Sequence, residues 1–335
     1  MTHIQQVLYE LETPYMGQPY HVTGHALYNA LARRVDRRTR KALQVSHGVF
    51  VPGSHGALPA THSHAANAPY IGTSLWPVER YADLFLFRDP AQRWLTDVRP
   101  REATNTVDLQ VQGGRWTYQP TTRFGQPPQS RRSYRTVTWY LHCYLHAGRD
   151  DGGIIPLAED TLDGLRVGGG RNYGCGELSL EDTLVVDLEE LTFPQLERAQ
   201  ADEVGFQLEL LSPYVLASEF PGADDQSIPW WWDTEEVASS KGESPRVSGL
   251  RRRETRLVAG EKEHVVETAD HGQVLKYAGD DPIETAINGL RRVGTHAKYG
   301  FGEFRVRPAD TDRVPARSDG DRAQHTAPAS GGDRA

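Results

Sequence analysis

Apolar and polar residues alternate along Ile4–Glu12, a period of two that predicts a β-strand. From Thr23 the period lengthens. Ala26, Leu27, Ala30, Leu31 and Val35 fall on one helical face, so Thr23–Leu43 is predicted as a helix with Thr23 as its N-cap. The arginines at 33, 34, 37, 38 and 40 occupy its later turns, where positive charge suits the helix dipole. Gln44–Val51 returns to strand and stops at Pro52-Gly53. Residues 53–135 keep no sustained period. Within them Tyr81–Phe87 reads as a strand, and Val107–Gln112 and Arg115–Gln119 read as arms of a hairpin turning at Gly113-Gly114. Alternation resumes through Val137, Trp139, Leu141, Cys143 and Leu145, which predicts a strand at Thr136–Ala147. Pro156–Arg166 reads as a short helix with Pro156 in its first turn, and Glu177–Leu188 as a strand. Residues 1–190 therefore predict a ferredoxin-like β-α-β-β-α-β unit with 53–135 inserted in its middle.

A second, degenerate unit is predicted at 203–308. Gly205–Leu211 reads as a strand, Val215–Pro229 as loop or short helix, and Glu263–Glu267 with Gln273–Tyr277 as a hairpin around Asp270-His271-Gly272. Pro282–Arg292 reads as a helix capped by Asp281, and Phe301–Arg307 as the last strand. The helix that a full unit needs between 213 and 262 has no sequence signal. The fold class expected is α+β, two such units in tandem. Residues 309–335 are poor in large apolar side chains and are expected to be a disordered tail.

One motif occurs twice. Val-Gly-Gly-Gly-Arg-Asn-Tyr-Gly-Cys-Gly-Glu at 167–177 and Val-Gly-Thr-His-Ala-Lys-Tyr-Gly-Phe-Gly-Glu at 293–303 share six of eleven positions, and each follows a Gly-Leu-Arg. The offset of 126 residues (from 167 to 293) is domain-sized, which points to duplication and not to a solenoid. Each copy sits between a predicted helix and a predicted strand. Gly168, Gly169, Gly170, Gly174 and Gly176, with Gly294, Gly300 and Gly302, allow the backbone turns that turn successive amides toward an anion. Arg166, Arg171, Arg291, Arg292 and Lys298 can meet phosphates, Asn172 and His296 add hydrogen-bonding groups, and Tyr173 and Tyr299 can stack a base or pack beneath the turn. The plainest alternative is a helix C-cap followed by a tight turn. The spacing fits neither a dinucleotide fingerprint nor a phosphate loop, so no cofactor is expected.

Composition narrows the picture. The 335 residues carry a formal charge of −8, which argues against a surface coated in positive charge but leaves room for a local basic groove. Two cysteines, Cys143 and Cys175, make neither a disulfide framework nor a zinc set, and the chain lacks a signal-like start and any apolar run of membrane-spanning length. A reduced cytoplasmic protein without membrane contact is expected. His55, His62 and His64 crowd one stretch, but no nearby Cys or acid completes a metal site.

The paired glycine loops resemble the hallmark of the RAMP superfamily of CRISPR-associated RNA-binding proteins, a Gly-rich loop between the last helix and last strand of a ferredoxin-like domain. Phe206–Leu216 is also similar to the first strand of the second domain in two-domain members. The resemblance covers about residues 1–308. It implies a non-catalytic subunit that caps the 5′ handle of crRNA in a type III-like class 1 effector complex. Its expected partners are crRNA, filament-forming RAMP subunits, a large or nuclease subunit and, indirectly, target nucleic acid. Both loops would face the RNA backbone, and the hairpin near Gly113 would be a thumb. Relatives that cleave repeat RNA without metal supply the rival expectation, with His25, His47 or His55 as general base and Tyr28 assisting. The run Trp230-Trp231-Trp232 reads as a stacking platform or a subunit contact. A third possibility is a structural protein whose glycine loops are only turns.

Overall fold

The computed structural model describes residues 3–17, 21–53, 58, 62–65, 74–88, 116–118, 121–124, 135–147, 153–219, 229, 232, 250–259 and 262–311. It is a mixed α+β structure, mostly antiparallel sheet with few helices. The first half contains β1 (His3–Leu11), β2 (Tyr15–Gly17), β3 (His21–Val22), α1 (Gly24–Leu31), α2 (Arg37–Ala42), β4 (Leu43–Val45) and β5 (Gly48–Pro52). There follow β6 (Trp116–Tyr118), β7 (Thr121–Phe124), β8 (Arg135–Ala147), α3 (Glu159–Leu162), β9 (Leu165–Arg166) and β10 (Glu177–Asp187). Its sheet runs β3-β5-β8-β1-β10-β9, with β4 and β7 also on β8. The two strongest alternating segments, β1 and β8, pair at its centre, with Val7 opposite Cys143.

Alternation gives each central strand two faces. Val7, Tyr9 and Leu11 bury with Trp139, Leu141, Cys143 and Leu145 against Leu27 and Leu31 of α1. On the opposite face, Leu8 and Tyr140 are covered by Leu86 and Phe87. The expected single helix over 23–43 is instead two. The Asp36 carboxylate accepts from the amides of Arg38 and Thr39 at 2.6 and 3.0 Å, starting a new helix before the first face is complete. The expected strand 44–51 is likewise split at Ser46, whose hydroxyl accepts from the Tyr144 amide in place of a ladder carbonyl. Tyr81–Phe85 is a 3-10 turn and not a strand, because Asp83 gathers the amides of Glu79 and Arg80 at 3.3 and 2.9 Å. The helix expected over 156–166 shrinks to α3 and the two-residue β9. Of the hairpin expected around Gly113, only Trp116–Tyr118 is among the described residues, and it pairs with β2. Beyond Thr311, the expected tail lies outside them.

The second half opens with α4 (Pro194–Ala201) and continues through β11 (Phe206–Leu210), β12 (Tyr214–Ser218), β13 (Arg252–Ala259), β14 (Lys262–Ala269), β15 (Val274–Lys276), α5 (Pro282–Leu290) and β16 (Phe304–Pro308). Two three-stranded sheets result, β15-β11-β16 and β12-β14-β13. Residues 214–218 are therefore strand, not loop. The expected hairpin 263–277 is also re-paired: β14 turns back on β13, while β15 joins β11. Asp281 caps α5 as expected, accepting from the Glu284 amide at 2.9 Å. No helix lies between 213 and 262 among the described residues. Ile4, Tyr144 and Val186 of the first sheet bury in one cluster with Leu208, Leu210, Phe304 and Val306 of the second, so the halves share a core. No helix among the described residues is long and apolar enough to cross a membrane.

Candidate functional site

Loop 1 (Val167–Glu177) and loop 2 (Val293–Glu303) are copies at the level of individual hydrogen bonds. Each opens with the valine amide donating to the carbonyl of the last glycine, Val167 to Gly176 at 2.9 Å and Val293 to Gly302 at 3.0 Å. Each holds one 3-10 turn, Arg171–Tyr173 and Ala297–Tyr299. In each the last glycine donates to a proline carbonyl, Gly176 to Pro14 and Gly302 to Pro213, both at 2.9 Å. Each final glutamate amide donates to a hydroxyl, that of Thr13 or of Ser212, both at 2.8 Å.

These acceptors expose a second repeat, out of phase with the first. Glu10-Leu-Glu-Thr-Pro-Tyr15 and Glu209-Leu-Leu-Ser-Pro-Tyr214 share the pattern E-L-x-[T/S]-P-Y. Its offset is 199 residues (from 10 to 209), which differs from the 126 of the glycine loops.

Gly176 and Gly302 are fixed by the same geometry. Their φ values are +73° and +77°, and a Cβ on either would lie 1.8 or 1.9 Å from the preceding valine carbonyl oxygen. That is closer than any side chain can approach, so the spacing of the motif is dictated by the turn.

The side chains separate the copies. Loop 2 is packed into the first half of the chain. The Lys298 ammonium donates to the carbonyls of Arg40 and Lys41 at 3.0 and 3.3 Å, closing the end of α2, and stands 4.6 Å over the Tyr28 ring. Tyr299 meets the rings of His25 and Tyr28 edge-on, and Gly300 lies against His47. Arg292 is buried, its Nε donating to Ala297 O at 3.0 Å, and burial pulls its pKa down to about 10 although Glu303 opposes this. His296 is 2% exposed beside Ser218, and burial lowers its pKa. Arg291 and Gly302 are also at least half-covered, while Gly294 reaches the surface. The second set of expected RNA contacts thus forms a seam between the halves.

Loop 1 faces solvent. Arg171, Asn172, Tyr173 and Gly174 are exposed, and Tyr173, at 86%, is the most exposed large apolar side chain among the described residues. Gly168, Gly169 and Gly170 lie beside it, with the Gly169 amide donating to Met16 O at 2.7 Å. Arg166 pairs with Glu177 across the mouth of the loop at 3.1 Å. At the other side, Arg34 donates to the carbonyls of Asp163 and Gly164, so this member of the basic run closes α3 and is not loose surface charge.

The histidines fall away from loop 1. His47 is 4% exposed, accepts from the Gly24 amide at 3.3 Å, and burial with neighbouring His21 holds its pKa well below the ordinary value. His25 is buried against Tyr299, and burial lowers its pKa too. Tyr28 spends its hydroxyl on Arg40 O at 2.8 Å. His55, Trp230 and Trp231 lie outside the described residues. Trp232 is buried against Tyr214, their rings 4.7 Å apart, which makes it a core residue. His62 and His64 stand near Asp83 and Glu79, and among the described residues no three potential ligands gather around a metal position.

No protein-family model matches the chain, and no curated protein matches it.

Proposed function

We propose that this protein binds crRNA as the non-catalytic subunit capping the 5′ handle in a type III-like class 1 effector complex, with loop 1 as its principal RNA contact. One observation carries the reading: a glycine loop whose turn is held by main-chain hydrogen bonds presents Arg171, Asn172 and Tyr173 together to solvent. An exposed aromatic beside a cation suits single-stranded RNA, whose unstacked bases pair with rings and whose phosphates pair with guanidinium groups. Support also comes from the fold. The order β5-β8-β1-β10, with α1 and α3 between its strands, supports reading the first half as a ferredoxin-like unit, and β15-β11-β16 with α5 supports reading the second as a partial repeat. Filament-forming RAMP subunits and a large or nuclease subunit are the protein partners this reading expects. Burial of His25 and His47 in the seam favours binding over cleavage.

The test is fluorescence anisotropy with a labelled CRISPR repeat RNA, in EDTA. Tyr173→Ala is expected to cost about 1–3 kcal/mol of binding. Arg171→Ala is expected to flatten the salt dependence by about 0.7 in log–log slope, one phosphate contact on a single strand. Unchanged affinity in both variants, or cleavage of the repeat, overturns the reading.

A further inference from the structure

A cleft of about 450 Å³ lies where Arg80 and Tyr81 meet the start of α4. Its lower surface is apolar, from Tyr81, Phe193 and Leu196, all at most 7% exposed. Its rim carries the exposed side chains of Arg80, Gln195 and Arg198. Its walls are joined by main-chain bonds, Tyr81 N to Thr192 O at 2.9 Å and Thr192 N to Glu79 O at 3.0 Å. The Tyr81 hydroxyl is tied to β16, accepting from the Val306 amide at 3.1 Å, and the Tyr81 and Phe193 rings stack at 5.3 Å. The cleft is therefore preformed, and its volume falls in the range of small-ligand sites.

Charge selects the occupant. The chain holds 45 acidic and 37 basic residues, yet this lining has two guanidinium groups and no carboxylate. An apolar surface beneath two arginines fits a ligand that is flat and apolar at one end and anionic at the other. A nucleotide has that form.

We propose that this cleft is a second contact for the same RNA, holding one unpaired nucleotide with its base on Phe193 and Leu196 and its phosphate between Arg80 and Arg198. The proposal rests on the RNA-binding reading of loop 1. Loop 1 feeds the first residue of β10, and the cleft begins just beyond its last, so the two contacts are separated by about 35 Å of strand. Only an RNA long enough to span that length reaches both.

Spanning gives the test. Binding is measured for single-stranded RNAs of increasing length sharing one end, on wild-type protein and on the Arg80→Ala/Arg198→Ala double variant, with Tm as the control for folding. Wild type is expected to gain at least about 10-fold in affinity once the strand spans β10. The double variant is expected to lose that gain and to bind short RNA as wild type does. A smooth length dependence overturns the proposal, as does a step that survives in the variant, or equal weakening of short and long RNAs. A cleft that ignores RNA but takes a peptide bearing aspartate and phenylalanine belongs to a protein partner, which also overturns it. If short RNA fails to bind wild type, the loop 1 reading falls and this one with it.

Discussion

Tyr173 and Tyr299 are the same letter of one motif with opposite duties. Tyr299 is packed between His25 and Tyr28, so Tyr299→Ala is expected to lose at least about 1 kcal/mol of stability, read by denaturant unfolding. Tyr173→Ala, at a site 86% exposed, is expected to leave stability unchanged while it weakens RNA binding. The glycines divide in a similar way. Gly176→Ala and Gly302→Ala place a methyl on a carbonyl oxygen and are expected to cost well beyond the about 1–2 kcal/mol of the left-handed backbone itself. Gly174→Ala, at φ +82° with nothing within 4 Å of the new methyl, is expected to cost only that backbone amount. Thermal melts of the three variants check the contrast. The six shared letters were legible in the sequence. Which copy meets solvent was not, because it depends on Tyr28, Arg40 and His47, more than 240 residues from loop 2 and bound to it by no periodicity.

Among elements, the helix starts were the most legible. Thr23 and Asp281 cap where short polar side chains precede an apolar period, and the structure has both. Asp281→Ala is expected to cost about 1 kcal/mol, measured by urea unfolding. Asp36 and Asp83 were the least legible. The apolar face from Ala26 to Val35 runs up to Asp36 without a break, and Tyr81–Phe87 is a short apolar run of strand length. In both places one carboxylate collecting nearby amides outweighs the pattern of apolar side chains. Strand partners were illegible for another reason. The short apolar runs at 263–277 mark strands but carry no information on which neighbour each takes, so β15 joins β11 across a long separation. The Asp36 carboxyl is held below its usual range by the Thr39 and Arg38 donors. Its contribution is present above the unfolded pKa and is lost as pH falls through the lower, folded one.

For the molecule as a whole, the shared core sets the size of the folding unit. Ile4 and Tyr144 bury with Phe304 and Val306, so a chain cut near residue 203 exposes part of the core of each half. Either fragment is expected to show no cooperative thermal transition, while the intact chain shows one. Acid acts on the same core. Burial holds His47, His142 and His146 well below their ordinary pKa, and His21 at about 3. The unfolded chain therefore takes up protons that the folded chain refuses, so stability is full above about pH 6.5 and falls as pH drops below it. Each such histidine contributes up to about 1.4 kcal/mol per pH unit in that window. Unfolding curves at pH 7.5 and pH 5.5 are expected to show lower stability at pH 5.5, and coincident curves would remove the role assigned to these residues.

Loop 1 builds its turn from main-chain bonds and borrows nothing from the side chains of Arg171, Asn172 and Tyr173. Those three positions can therefore change without asking the fold for permission. In a saturation library scored first for folded protein and then for bound RNA, 171–173 should be tolerant in the first screen and restricted in the second. Positions 296–301 should be restricted in both. A duplicated loop has in this way become one fixed joint and one site open to selection for new ligands.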